Sequence, residues 1–375
     1  MRKPGIWAVA LLSVIYLSAM SLTGQAWAGT DIIVKRNAAE RFIVLPDGVR
    51  FPEGITANPN NGDLFVATFD SGPNPNKLLR FDKRGHLLAQ IKFGGTPLLG
   101  LEFNRADTKV YICNFGASKI QRIAANFTAL TAVEDVATIP SIGPPANRTV
   151  PNPDTSSDTI IFGSSGFPAP NALTFNKDGD LFISDSFQGA IFKIASAATL
   201  PACVSTSCPA ASLVKQDPLL ATTGFPPFGA NGLALNSDES KLFIANTGDD
   251  RVLRMDMKTK VVDVFTESIN GADGVAFDHQ GRLWVCANQG DELVALNEAG
   301  RVIVKLGDFK GIRKDGTPRG LLFPASLVIV GDNIFVTNLA IPLTPAIGDE
   351  PEEDVTRWTI ARLHLPDDND DEDDD

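Results

Sequence analysis

The chain has 375 residues, with 33 Lys+Arg against 45 Asp+Glu, 32 Gly, 25 Pro, 23 Phe and 4 Cys, and 43% of it is hydrophobic. That composition excludes a collagenous, wholly disordered or disulfide-scaffold protein. The net charge of −12, with no Lys/Arg cluster, excludes a surface that tracks nucleic-acid phosphates.

Residues 1–28 read as an export signal. Arg2 and Lys3 precede an apolar run from Ile6 to Leu17, and Ala26-Trp27-Ala28 places small residues at −3 and −1 of a cleavage site. No later segment carries the ~20 apolar residues needed to span a bilayer. The expected protein is therefore periplasmic or secreted, free of the membrane after cleavage, and monomeric. Cysteine use fits an oxidising compartment: Cys203 and Cys208 are spaced to close a small disulfide loop, while Cys113 and Cys286 lie in apolar strand-like runs as small core residues.

From residue 41 onward one pattern repeats. A short strand at 41–45 precedes Glu53-Gly-Ile and Leu64-Phe-Val-Ala; next come Gly100-Leu-Glu-Phe with Val110-Tyr-Ile-Cys-Asn114, and Asn171-Ala-Leu-Thr-Phe with Leu181-Phe-Ile-Ser-Asp185. Asn231-Gly-Leu-Ala-Leu is followed by Lys241-Leu-Phe-Ile-Ala-Asn246, and Asp273-Gly-Val-Ala-Phe by Leu283-Trp-Val-Cys-Ala287. The last unit is Ala325-Ser-Leu-Val-Ile with Ile334-Phe-Val-Thr-Asn338. Gly/Asn/Asp turns separate these β-branched and aromatic runs, and no segment sustains a helical period. Six units of roughly 40–50 residues, each of four short antiparallel strands, predict an all-β six-bladed propeller over 29–365. The sixth unit lacks an outer strand after 359–365, so the strand at 41–45 is expected to complete it and close the ring. Residues 366–375 hold 8 of the 45 acids and are expected to be a disordered tail.

Aligned starts of the inner strands are Glu53, Leu99, Asn171, Asn231, Asp273 and Ala325. In a propeller these starts converge on one mouth of the central channel. Two carboxylates and two amides there are the donor set of a hard cation, one central Ca²⁺, and the absence of His and Cys speaks against zinc or copper. Strand-start Asn and Asp also cap turns. Ends of the second strands, Thr68, Asn114, Asp185, Asn246, Ala287 and Asn338, form a second column that faces the same mouth if it contacts metal ligands or substrate, and simply closes strand ends otherwise.

The tetrapeptides Pro52-Glu53-Gly54-Ile55, Pro170-Asn171-Ala172-Leu173, Ala230-Asn231-Gly232-Leu233 and Ala272-Asp273-Gly274-Val275 resemble, in order and at blade spacing, the calcium site of the senescence marker protein and gluconolactonase family. The resemblance implies a calcium-dependent hydrolase of a small lactone or ester, with Glu53, Asn171, Asn231 and Asp273 as metal ligands and Asp273 as general base or nucleophile. Two departures bear on the substrate. The family places an Arg two residues before the first Asn to hold a sugar, and this chain has Ala169; His86, His279 and His364 stand at surface positions. Inserts 139–170 and 340–358, rich in Pro, Gly, Ser and Phe, are expected to cover the mouth with an apolar lining. A non-catalytic binding propeller, or a metal-dependent lyase or isomerase, fits the same repeats.

Overall fold

The structure is a computed structural model that describes residues 32–366 except 37, 163–167, 204–207 and 346. The proposed export signal and the acidic run 367–375 lie outside the described residues. Among the described residues no helix is long and apolar enough to cross a membrane.

Six four-stranded antiparallel units are arranged as blades. Blade one runs through Pro52–Ala57, Leu64–Thr68, Asn76–Phe81 and Leu87–Gly94; blade two through Leu101–Asn104, Lys109–Asn114, Lys119–Ala124 and Glu134–Thr138. Blade three is Pro170–Phe175, Leu181–Asp185, Ala190–Ile194 and Ser212–Gln216; blade four is Ala230–Leu235, Lys241–Asn246, Arg251–Asp256 and Val262–Glu267. Blade five comprises Ala272–Phe277, Leu283–Ala287, Glu292–Leu296 and Val302–Leu306. Blade six takes Pro324–Val330, Asn333–Asn338 and Thr359–His364 from the end of the chain and Glu40–Val44 from its beginning, with Arg41 opposite Ala361 and Ile43 opposite Ile360. A strand too short to read from the sequence, Ile33–Lys35, pairs parallel to the outer strand of blade five.

Second and third strands are buried nearly throughout: Leu64–Thr68, Leu181–Asp185 and Leu283–Ala287 carry no exposed residue. They lie between inner and outer strands, so both faces pack on neighbouring blades, and the sequence accordingly reads as continuous apolar runs rather than alternation. Each inner strand touches the next, and that of blade six touches that of blade one, so the six surround a common axis.

Five inner strands carry the same β-bulge. In blade four, Ala230 pairs with Asn246 and Leu233 with Ile244, so Asn231 and Gly232 together oppose Ala245. Glu53-Gly54, Asn171-Ala172, Asp273-Gly274 and Ala325-Ser326 are bulged in the same register. A bulge re-aims a side chain, and here it falls on the aligned polar column. The residues facing these bulges are small: Ala67, Ser184, Ala245, Cys286 and Thr337. Cys113 occupies that place in blade two, which explains why both free cysteines are buried core residues with thiols raised by burial.

Glycine after the bulged residue lets adjacent blades meet backbone to backbone. A Cβ on Gly54 would stand 2.2 Å from Leu99 O, on Gly100 2.4 Å from Asn171 O, and on Gly232 2.3 Å from Asp273 O. Gly232→Ala must therefore push blade five at the residue that carries the second carboxylate. The expected cost is roughly 1–3 kcal/mol of stability from overpacking, read by urea denaturation. Unchanged stability would show that the blades separate there without cost.

Candidate metal centre and apolar mouth

Glu53, Asn171, Asn231 and Asp273 come together at one end of the channel and line a single cavity with Thr247 and Asn288. Each is almost fully buried, Glu53 at 4% and Asp273 at 5% exposure. Both carboxylates keep one oxygen, Glu53 Oε2 and Asp273 Oδ1, with no hydrogen-bond partner. Burying an ionised carboxylate with an unpaired oxygen is costly, and among the described residues no Lys, Arg or His lines this cavity. Burial pushes the Glu53 carboxyl well above its ordinary range and the nearby Asp273 charge adds to the shift. Burial also raises Asp273, against hydrogen bonds from Asn288 and Asn231 that lower it.

Both amides are oriented by one device used twice. Asn171 Nδ2 donates to Ser186 Oγ at 2.9 Å, and that hydroxyl donates to Ala230 O of the next blade at 2.7 Å. Asn231 Nδ2 donates to Thr247 Oγ1 at 2.9 Å, which donates to Ala272 O at 2.8 Å. With the nitrogens committed to hydroxyls, the carbonyl oxygen is what each amide offers to a cation. The third link differs, since Asn288 Nδ2 donates to Asp273 Oδ2 at 3.1 Å and leaves Oδ1 as the unpaired atom.

Two carboxylates with orphaned oxygens and two pre-turned amides fit a hard divalent cation such as Ca²⁺, whose charge would compensate the buried acids. Among the described residues no group of three or more His, Cys, Asp or Glu is assembled, so the fit rests on these four oxygen donors. Thr247→Val removes the acceptor for Asn231 Nδ2. Calcium affinity, measured by calorimetry, is expected to fall roughly 10- to 100-fold; wild-type affinity would show that the hydroxyl does not orient the amide.

The second column does not line this cavity. Asn114 Oδ1 accepts from Ala117 N while its Nδ2 donates to Gln121 Oε1. Asp185 accepts from the backbone N–H of Ala169, Phe187 and Gln188 and from Gln188 Nε2. Asn246 donates to Leu219 O and Ala221 O, and Asn338 accepts from Leu322 N and donates to Thr359 Oγ1. These side chains close strand-end loops, and among the residues one position later Phe69, Thr247, Asn288 and Leu339 line the mouth, while Ser186 holds Asn171. Sequence reading missed them by one residue, although Ser186, Thr247 and Asn288 all follow an Asp, Asn or Ala that ends a second strand.

Above the polar floor the wall is hydrocarbon. Phe69 and Phe228 belong to an aromatic cluster, their centroids 6.3 Å apart, with Phe115 5.5 Å from Phe69 and Phe187 5.6 Å from Phe228. Phe323, Leu339, Ile341 and Leu343 complete the wall from the blade-six side. Insert 340–358 thus contributes to the lining. The described part of insert 139–170 forms a hairpin, Arg148–Pro151 with Ser157–Ile160, and its Ile142 N donates to Gln188 Oε1 of blade three at 2.6 Å without lining the cavity. Ala169 is buried and its N–H is taken by Asp185. His86, His279 and His364 are exposed. The Cys203–Cys208 disulfide lies between the third and fourth strands of blade three. Behind the polar ring the channel widens to a cavity of 460 Å³ that reaches Glu53, Asn171 and Asn231 from the other side.

Residues 220–307, which hold Asn231 and Asp273, match the family model described as the SMP-30/gluconolactonase/LRE-like region. A search of curated proteins gives no match. Among solved structures the chain is similar to regucalcin, a calcium-binding protein from Agrobacterium tumefaciens str. C58 (13% identity, 89% of this chain and 95% of that one, TM-score 0.55). It is also similar to a gluconolactonase from Xanthomonas campestris (13% identity, 86% and 88%, TM-score 0.50). A streptogramin B lyase is a further neighbour (12% identity, 88% and 97%, TM-score 0.52). At these identities the likeness is one of fold, and the fold hosts more than one chemistry. The chain is a six-bladed propeller similar to the SMP-30/gluconolactonase/LRE-like family, and carries that family's sequence signature across its fourth and fifth blades.

Proposed function

We propose that the protein is an exported, monomeric, calcium-dependent hydrolase that opens a lactone or ester of a small molecule at the apolar mouth. The observation that carries this reading is the pair of buried carboxylates, each with one unpaired oxygen, on a floor that also presents two oriented amides. Glu53, Asn171, Asn231 and Asp273 would hold the ion. When bound, it supplies Lewis-acid polarisation of the substrate carbonyl.

The chain's own residues account for the remaining requirements. Asp273 Oδ1 is an unpaired carboxylate oxygen of the floor, and Asn288 holds the other oxygen so that Oδ1 keeps its direction. It takes a proton from the attacking water as the water oxygen bonds to the acyl carbon, and returns that proton to the leaving alkoxide oxygen as the acyl C–O bond breaks. The products are an alcohol and an acid, or one hydroxy acid from a lactone. The wall is hydrocarbon, and such a surround strengthens the electrostatic contacts at the floor. A panel of lactones and esters tests the reading. Hydrolysis that is abolished by chelator and restored by calcium is expected, and no turnover by calcium-loaded protein on any member would defeat it.

A further inference from the structure

Among the described residues that line the mouth cavity, the polar ones are Glu53, Asn171, Asn231, Asp273, Thr247 and Asn288, which form its floor. All six are nearly fully buried; the amide nitrogens of Asn171, Asn231 and Asn288 are engaged in the bonds already described, while Glu53 Oε2, Asp273 Oδ1 and Asn288 Oδ1 have no hydrogen-bond partner. The wall offers Phe69, Phe228, Phe323, Leu339, Ile341 and Leu343, none of which presents a side-chain donor or acceptor. A polyhydroxylated ring placed there would lose water from its hydroxyls without recovering hydrogen bonds, at a cost of about 1–3 kcal/mol for each unmade bond. A hydrocarbon group would gain about 0.8 kcal/mol per buried methylene.

The wall is also held in place. Trp358 Nε1 donates to Leu339 O at 3.0 Å, and its ring meets Phe51 edge-on at 5.0 Å. Glu350 accepts from Leu343 N at 2.6 Å and from Thr344 N at 2.7 Å, so the segment 339–343 is pinned at both ends. A glutamate spent on two backbone N–H groups behind the wall keeps the face toward the cavity apolar.

We infer that the substrate is a lactone or ester bearing an alkyl or aryl group, not a sugar lactone, and that Ile341 and Leu343 read that group while the floor reads the carbonyl. This deepens the hydrolase reading and rests on it. The test compares γ-lactones carrying progressively longer alkyl substituents with glucono-δ-lactone, using calcium-loaded protein. The expected kcat/KM rises about fourfold per added methylene until the wall is covered, the rate equivalent of 0.8 kcal/mol, and glucono-δ-lactone falls below the series. Ile341→Asn flattens the slope without altering calcium affinity; Leu343→Asn serves if the first variant does not fold. A second arm needs no turnover: 1-alkanols of increasing length should raise the melting temperature of the wild type progressively, and not that of Ile341→Asn.

Hydrolysis that is independent of chain length, or that favours glucono-δ-lactone, overturns the inference and leaves the hydrolase intact. Alkanol stabilisation with no hydrolysis of any lactone defeats the hydrolase and retains the apolar site. Failure of both arms overturns both.

Discussion

Asp273→Asn is expected to lower turnover by roughly 10²- to 10⁴-fold, the usual contribution of a positioned base, while retaining part of its calcium affinity. The amide keeps an oxygen to offer a cation but has no lone pair basic enough to accept a proton from water. Asn171→Ala should do the opposite. It removes a neutral oxygen donor whose orientation Ser186 supplies, so affinity falls and excess calcium restores much of the rate. Rates measured across a calcium titration distinguish the two. If both variants lose activity equally and both are rescued equally, Asp273 is a ligand and nothing more, and the proton acceptor must be sought elsewhere on the floor.

The column Glu53, Asn171, Asn231 and Asp273 was legible in the sequence because a bulge recurs at one register, and a recurrent backbone irregularity leaves a recurrent motif: a polar residue, then Gly or Ala, then an apolar strand. Glycine is required there by the approach of the next blade's carbonyl, as at Gly54 and Gly232. The second column shows where such reading stops. Asp185 and Asn246 end their strands with short polar side chains that capture nearby loop groups, and their own side chains are thereby drawn off the axis. The next residue carries the chain across the mouth. Alternation along a strand predicts the face of every residue up to that point and none beyond it.

Apolar lining was legible only as composition. Phe69, Phe228, Phe323 and Ile341 lie in four separate connections, and their meeting over one floor depends on loop paths with no period. Glu350, which pins one wall segment from behind, looks in sequence like any acid of an exposed insert. The parallel strand Ile33–Lys35 is three residues long, too short to carry a signal, and is held by its pairing with Val304–Leu306.

Calcium is expected to stabilise the fold most strongly at neutral and alkaline pH. Burial raises the Glu53 and Asp273 carboxyls above their ordinary values of 4.5 and 3.8 in the metal-free protein. The native state therefore holds protons that the unfolded chain has released, and metal-free stability falls as pH rises through and beyond the ordinary carboxylate range. Below that range both states are protonated and the penalty vanishes. A cation that binds only the ionised native site reverses the trend, adding about 2.7 kcal/mol when calcium is a hundredfold above its Kd, and releasing protons as it binds. In Glu53→Gln/Asp273→Asn the charge is gone, so the metal-free protein should melt higher than wild type at neutral pH, show a flatter pH profile, and respond little to calcium. Melting curves with and without chelator, from acid to mildly alkaline pH, decide the matter. A metal-free wild type whose melting point does not decline with pH, and which calcium leaves unmoved, would mean that the two carboxylates are compensated by something other than a metal ion.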